Sequence, residues 1–288
     1  MDMPLLFLLL LFLLSIGHLV TLKICSVALD HRTAPVFISG WTLIGLACVF
    51  PLYGALWDEG LEKLAASPWL FLLIVLKAVA LYALFIVSQS LMKDSLSSRH
   101  YVTPMAVGLI AAVNYFLGEH LTAAQWMSAL GLCGLSVAFF FKGHMSDLSR
   151  QSRIAYFQLV GISVVTAAID HTLTRAANWF VLLLLSNVII FALALGLNRK
   201  NTTVLKTAFL HKSAILAGVF YAATELVKFY QQVTINPVSV VVTVQALTKP
   251  VILVLSALIW KERTVKEQLT WGLLAFALAV LPLLYGLK

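Results

Sequence analysis

The sequence predicts an all-α polytopic membrane protein with ten transmembrane helices arranged as two inverted five-helix repeats. Composition carries the first half of that statement. Of the 288 residues, 61% are hydrophobic and only 11% charged, whereas soluble domains hold about 45–50% apolar and about 25% charged residues. Mean hydropathy is +0.97. A chain with so little polar surface cannot cover its hydrocarbon in water, which excludes a soluble domain, a disordered chain and a secreted disulfide scaffold. Spacing carries the second half: apolar runs recur along the whole chain, each near the roughly 20 residues needed to cross about 30 Å of hydrocarbon.

The runs are continuous rather than alternating, so they read as helices and not as barrel strands. The first, Met3–Leu29, begins like a signal peptide. It lacks a basic n-region and a small-x-small cleavage site, so a retained span is expected. Ala34–Leu56 and Pro68–Met92 follow, then Tyr101–Gly118 and Leu121–Phe141, whose junction is so short that the two must be antiparallel neighbours. The polar, basic segment 142–153 divides the chain into a first half, 1–141, and a second half, 154–288. The second half holds Ile154–Thr174, Asn178–Leu197, Ala208–Gln232, Pro237–Trp260 and Thr264–Leu287. Five spans per half is an odd number, so the halves must enter the membrane in opposite directions, as in many secondary transporters.

Twenty Lys and Arg against twelve Asp and Glu give a formal charge of +8. On a soluble protein this would suggest nucleic acid; here the basic residues sit mostly in short loops between spans, and no nucleic-acid partner is expected. Loops after odd-numbered spans collect thirteen of them, Lys93, Arg99, Lys142 and Lys261 included, against Lys63, Arg175 and Lys288 on the other face. The positive-inside rule then places both termini outside the cytoplasm. Cys25, Cys48 and Cys133 lie in apolar runs without metal-ligand spacing and read as small buried hydrophobes.

A gapless overlay of Leu72–Thr122 on Ala214–Thr264 sets Gln89 over Gln231, Ser97 over Ser239 and Thr122 over Thr264. The hairpin Gly118-Glu119-His120-Leu121-Thr122 after the fourth span has an echo in Lys261-Glu262-Arg263-Thr264 after the ninth. Both follow a proline-bearing span (Pro104, Pro250) and precede a helix rich in small residues. On these features the chain resembles the ten-helix, EamA-like members of the drug/metabolite transporter superfamily along its full length. The second copy departs in having Trp260-Lys261 where glycine is expected and no leucine before Thr264. Thr248-Lys249-Pro250-Val251-Ile252 is also similar to the Lys-Arg segment by which triose-phosphate and nucleotide-sugar transporters hold phosphate, with Pro250 in place of the arginine. The resemblance implies transport of a metabolite through a central cavity lined by helices 1, 3, 4, 6, 8 and 9, and residence in a bacterial cytoplasmic (inner) membrane.

Charges inside spans cost about 2.5–3.5 kcal/mol each at mid-bilayer, so each marks a cavity, a partner or an escape route. Lys249 and Lys77 fall near the midplane, too deep to reach a headgroup; Gln245, Lys249 and Ser256 share one helical face. Lys249, Gln245 and Lys77 are therefore candidate substrate contacts, with a structural lysine beside Pro250 as the alternative for Lys249. Tyr221, Glu225, Lys228 and Gln232 line up on the eighth span. Glu225 and Lys228 either pair with each other at i,i+3 or serve as a coupling site and a substrate contact, with Tyr221 beside them. Lys23 is expected to snorkel, His18 to be hydrogen-bonded structure, and Asp170, His171 and Arg175 to form a solvated helix end. Glu119 and Glu262 are expected to sit before a helix N-terminus, where the helix dipole favours a carboxylate. Trp41 and Trp179 either join an aromatic belt or face the cavity.

The chain contains no HExxH, Walker A or GxSxG motif and no candidate metal set. No enzymatic activity and no cofactor are expected, and uphill transport must run on an H+ or Na+ gradient or on exchange. Three deep lysines against one deep acid favour an anionic metabolite as substrate. Alternatives are a flippase for a phosphate-bearing lipid, a proton-coupled exporter of amphiphilic or cationic compounds, and an intramembrane enzyme or assembly partner. The oligomeric state is left open between monomer and homodimer.

Overall fold

A computed structural model describes residues 3–141, 148–234, 248–262 and 265–285. Among these residues there is no strand. The helices are α1 (Met3–Ala28), α2 (Ala34–Ala66), α3 (Pro68–Asp94), α4 (Leu96–Phe116), α5 (Ala123–Phe139), α6 (Arg150–Ala176), α7 (Trp179–Leu197), α8 (Lys212–Thr234), α9 (Lys249–Ile259) and α10 (Val265–Tyr285). A short helix, Thr202–Leu210, precedes α8.

Local chemistry sets the boundaries. Pro68 opens α3 after a single linking residue, Ser67, at a position where its missing N–H costs nothing. Thr122 and Gln125 form a reciprocal capping box at the start of α5, and the side chains of Ser149 and Asn178 cap α6 and α7. The predicted eighth span, Ala208–Gln232, runs across a break. His211 is extended, and the short helix meets α8 at 74°. α2 is longer than expected, continuing past Leu56 through Asp58, Glu59, Glu62 and Lys63 to Ala66. α4 starts at Leu96 rather than Tyr101, for a reason that lies far along the chain: the Glu262 carboxylate accepts from the Leu96 N–H at 2.8 Å.

Among the described residues, five helices are long and apolar enough to cross a bilayer by themselves, within Leu9–Ala28, His31–Ala66, Pro68–Asp94, Arg150–Thr174 and Trp179–Leu197. The bent pair ending in α8 makes a sixth if counted as one span. The apolar segments of α4, α5 and α9 are shorter, Pro104–Phe116, Ala123–Phe139 and Lys249–Ile259. Large apolar side chains stand on the outer surface, Leu52 at 79% and Phe116 at 86% exposure among them. In a helical bundle that surface faces lipid. The chain is a multi-pass helical membrane protein.

Inside the bundle α1 lies against α8 and α3 against α6; α2 contacts both α7 and α8; α4 packs with α5 and α6; α10 joins α9 to α5. Two glycines allow the tightest hairpin contacts. A Cβ at Gly108 would meet Cys133 Cβ at 2.8 Å between α4 and α5, and one at Gly272 would meet Pro250 Cα at 2.8 Å between α10 and α9.

Candidate functional site

A cavity of about 150 Å³ opens between α1, α3, α4, α8 and the start of α9. α6, expected among the lining helices, contributes none of its walls. α1 supplies Ser15 and His18, α3 Phe85 and Ser88, and α8 Tyr221, Thr224 and Glu225; Arg99, Thr248 and Lys249 complete the polar lining. The His18 ring donates from Nδ1 to the Ala217 carbonyl oxygen, 3.1 Å away, which leaves Nε2 as an acceptor when the ring is neutral. Tyr221 packs 5.2 Å from that ring and edge-on to Phe85 at 5.3 Å. His18 is therefore both the hydrogen-bonded residue expected and part of the cavity wall.

Arg99, expected among the loop charges, lies instead one turn into α4 and faces the cavity, with Nε donating to Ser88 Oγ at 2.7 Å. Polarity hid it. The run Ser97-Ser98-Arg99-His100 fails any apolar-window criterion even though it is helical. Removing Arg99 from the loop count leaves twelve basic residues against three, so the topology expected from charge is unchanged. Lys249 is 3% exposed, the first residue of α9, and on the cavity wall beside Thr248.

Lys77 and Lys228 do not line the cavity. Lys77 is 2% exposed and forms an ion pair with Asp170, which corrects two expectations: Lys77 is not placed at the cavity, and Asp170 is buried rather than solvated. Lys228 pairs with Glu225 at 2.5 Å, the i,i+3 alternative. The Phe229 ring centroid lies 4.7 Å from both ammonium groups, a favourable cation–π arrangement. Two lysines and two carboxylates thus form one neutral cluster, joined to the cavity through Glu225. The count of three deep lysines against one deep acid does not survive, because Asp170 supplies a second acid. Among the described residues, the basic side chains on the cavity wall are Arg99 and Lys249 instead.

Further expectations are corrected. Lys23 does not snorkel; it is buried, pairs with Glu262 at 3.1 Å and donates to the Met92 carbonyl oxygen at 2.6 Å. Glu262 accepts from the N–H of Leu96 at the N-terminus of α4. His171 is buried and faces Glu119. Neither Trp41 nor Trp179 faces the cavity: Trp41 Nε1 donates to the Phe209 carbonyl oxygen at 2.9 Å, and Trp179 is buried against Tyr53 and Phe180. Ser256 is buried with its hydroxyl turned to the Leu253 carbonyl oxygen, away from the cavity wall. Gln245 lies outside the described residues.

No protein-family model matches the chain, and no curated protein matches it in sequence.

Proposed function

We propose that the chain is a secondary transporter of a small anionic metabolite, with its binding site in the cavity walled by Arg99 and Lys249. One observation carries this reading: among the described residues, the wall of a polar cavity inside a membrane bundle carries two basic side chains, Arg99 and Lys249, and its one carboxylate, Glu225, is engaged by Lys228. Arg99 and Lys249 on that wall favour a substrate that carries a carboxylate or phosphate. Arg99 offers a planar fork of donors and Lys249 a point charge, a combination suited to an oxyanion. The apolar faces of Phe85, Leu19 and Leu22 on the same wall suit the carbon skeleton of such a metabolite.

The packing supports ten spans in two inverted five-helix halves working by alternating access. Exchanging the halves turns the α1–α8 contact into α6–α3, α2–α8 into α7–α3, and α4–α5 into α9–α10. The α2–α7 and α5–α10 contacts exchange into themselves. The cavity takes helices from both halves, the position at which repeat-built transporters hold substrate. On this reading the drug/metabolite transporter resemblance extends to mechanism, and the natural setting is a bacterial cytoplasmic membrane.

The test is a thermal-shift series on purified protein with phosphate, phosphoenolpyruvate and malate against lysine and choline, followed by exchange in proteoliposomes with whichever compound stabilises. Stabilisation by anions, absent in Arg99→Ala, together with exchange of the same anion, is expected. Stabilisation by the cations alone, or no exchange of any compound that stabilises, refutes the reading.

A further inference from the structure

The polar groups on the cavity wall are of two kinds. Arg99 and Lys249 come from α4 and α9, whereas α1 supplies the hydroxyl of Ser15 and the imidazole of His18. Ser15 and His18 stand three residues apart, on one face of their helix.

A hydroxyl inside a helical bundle commonly turns back onto a carbonyl of its own helix. Thr224, on the same wall, donates to the Phe220 carbonyl oxygen at 2.7 Å. Thr21, further along α1, donates to that of Gly17 at 2.7 Å. Ser88 Oγ accepts from Arg99. Ser15 follows neither course. It is 7% exposed, and its hydroxyl has no hydrogen-bond partner. A buried hydroxyl left in that state is unfavourable, and a ligand group that reaches it removes the penalty.

His18 is held in one orientation by α8. Nδ1 donates to the Ala217 carbonyl oxygen, which can only accept, and Tyr221 packs against the ring. At pH 8 an imidazole of ordinary pKa is neutral, so Nε2 offers a lone pair. Among the described residues no hydrogen bond engages Nε2. The α1 side of the wall therefore suits a group that donates and accepts at once. A carboxylate or fully ionised phosphate only accepts, so it does not satisfy Nε2. An alcohol does both: its hydrogen goes to Nε2 and its oxygen takes the Ser15 hydrogen. An ammonium group leaves the Ser15 hydrogen without an acceptor, and it adds a cation to a wall that already carries Arg99 and Lys249.

We infer that the substrate is a small hydroxy acid, its anionic end toward Arg99 and Lys249 and its alcohol between Ser15 and His18. The inference rests on the transporter reading and names the class of metabolite within it. A cavity of about 150 Å³ matches a void that binds benzene, which limits the ligand to about three or four carbons. Glu225 offers the alcohol a competing acceptor on the same wall, and variants separate the two.

The experiment measures calorimetric affinities of the purified full-length protein at pH 8 for acids that differ in one substituent. Malate, succinate and aspartate carry hydroxyl, hydrogen and ammonium at the same carbon; lactate, propionate and alanine repeat the series at three carbons. The chiral acids are tested as both enantiomers. In the series that binds, the hydroxy acid should bind about ten- to a hundredfold more tightly than the acid lacking the hydroxyl, and more tightly than the amino acid. His18→Phe should abolish that preference while leaving the affinity for succinate or propionate unchanged, and Ser15→Ala should remove part of it. A merely structural role would weaken both acids together. Equal affinity for hydroxy and unsubstituted acids in the native protein overturns the inference and leaves the anion transporter standing. So does an amino acid that binds as tightly as the hydroxy acid, or stabilisation by phosphate without binding of any of these acids. A preference that survives in both variants overturns it as well and assigns the alcohol to Glu225. The native comparison needs neither variant to fold. Failure of every anion to bind refutes the transporter reading itself.

Discussion

Buried cations of two kinds occupy this bundle a few helical turns apart. Lys77, Lys228 and Lys23 each face a carboxylate supplied by the protein, and their charge is spent on holding helices together. Arg99 and Lys249 stand on the wall of a cavity. In the membrane interior the two are equally costly to place, so cost alone does not identify a functional charge. What distinguishes them is their setting. Lys77, Lys228 and Lys23 each lie against a carboxylate of the fold, whereas Arg99 and Lys249 line a cavity, where the proposed function puts an arriving anion.

The largest test of that distinction is Asp170→Ala. It leaves the Lys77 ammonium buried without its carboxylate, which costs about 3–5 kcal/mol. A collapse of the monodisperse peak, or a large fall in the melting midpoint followed by tryptophan fluorescence, is expected. The double variant Lys77→Met with Asp170→Leu should recover most of the loss, since it removes both charges. A single variant as stable as the native protein would mean that Lys77 is solvated and belongs with the other group.

Next come the cavity cations. Arg99→Ala and Lys249→Ala should each weaken anion binding by about 1–3 kcal/mol, roughly ten- to a hundredfold in Kd, with normal folded yield. Arg99→Lys and Lys249→Arg should each retain part of the affinity, because charge is kept and geometry is not. Unchanged calorimetric affinity in both alanine variants would return Arg99 and Lys249 to the structural group.

Glu225 belongs to both sets, on the cavity wall and in the pair with Lys228. Glu225→Gln should cost about 1–2 kcal/mol of stability, less than Asp170→Ala, because the Phe229 ring and the amide oxygen still face the ammonium. If Glu225 also carries the coupling proton, gradient-driven accumulation disappears in this variant while exchange continues. Full response to an imposed pH gradient would confine the residue to its pair.

The smallest effect calibrates the others. Lys63 and Glu59 form an ion pair in which both side chains are well exposed. Such pairs contribute about 0–1 kcal/mol. Glu59→Ala should shift the melting midpoint barely, if at all, and a loss comparable to that of Asp170→Ala would undo the distinction by burial.

Much of this was legible in the sequence, and the parts that were not share a cause. Apolar run length located helices α1, α3, α6 and α7 to within a few residues, because hydrocarbon thickness acts on each span separately. The spacing of Tyr221 and Glu225 placed both on one helical face, and depth singled out Lys249. The partner of Lys77 was beyond reach: Asp170 lies on another helix, and no local pattern links the two. Arg99 was missed because its turn of α4 is polar, and what fixes the start of that helix is the carboxylate of Glu262, distant in sequence. Charges read one at a time suggested an excess of buried lysine. The neutral cluster emerges only when helix pairs are known.

α2 runs for 33 residues, about 50 Å at 1.5 Å per residue, against a hydrocarbon layer of about 30 Å. Its last stretch, from Asp58 to Ala66, is charged on one side, while Gly60 and Leu64 are buried, with Val181 of α7 alongside Gly60. This end therefore rises above the apolar belt as a helical post anchored on a neighbouring helix, not as a loose tail. For a chain of 31.6 kDa, such a post is a natural attachment point for electron microscopy. A rigid body fused in frame with the exposed face of Asp58–Lys63, or a binder raised against it, would give particle images the asymmetric mass that alignment requires.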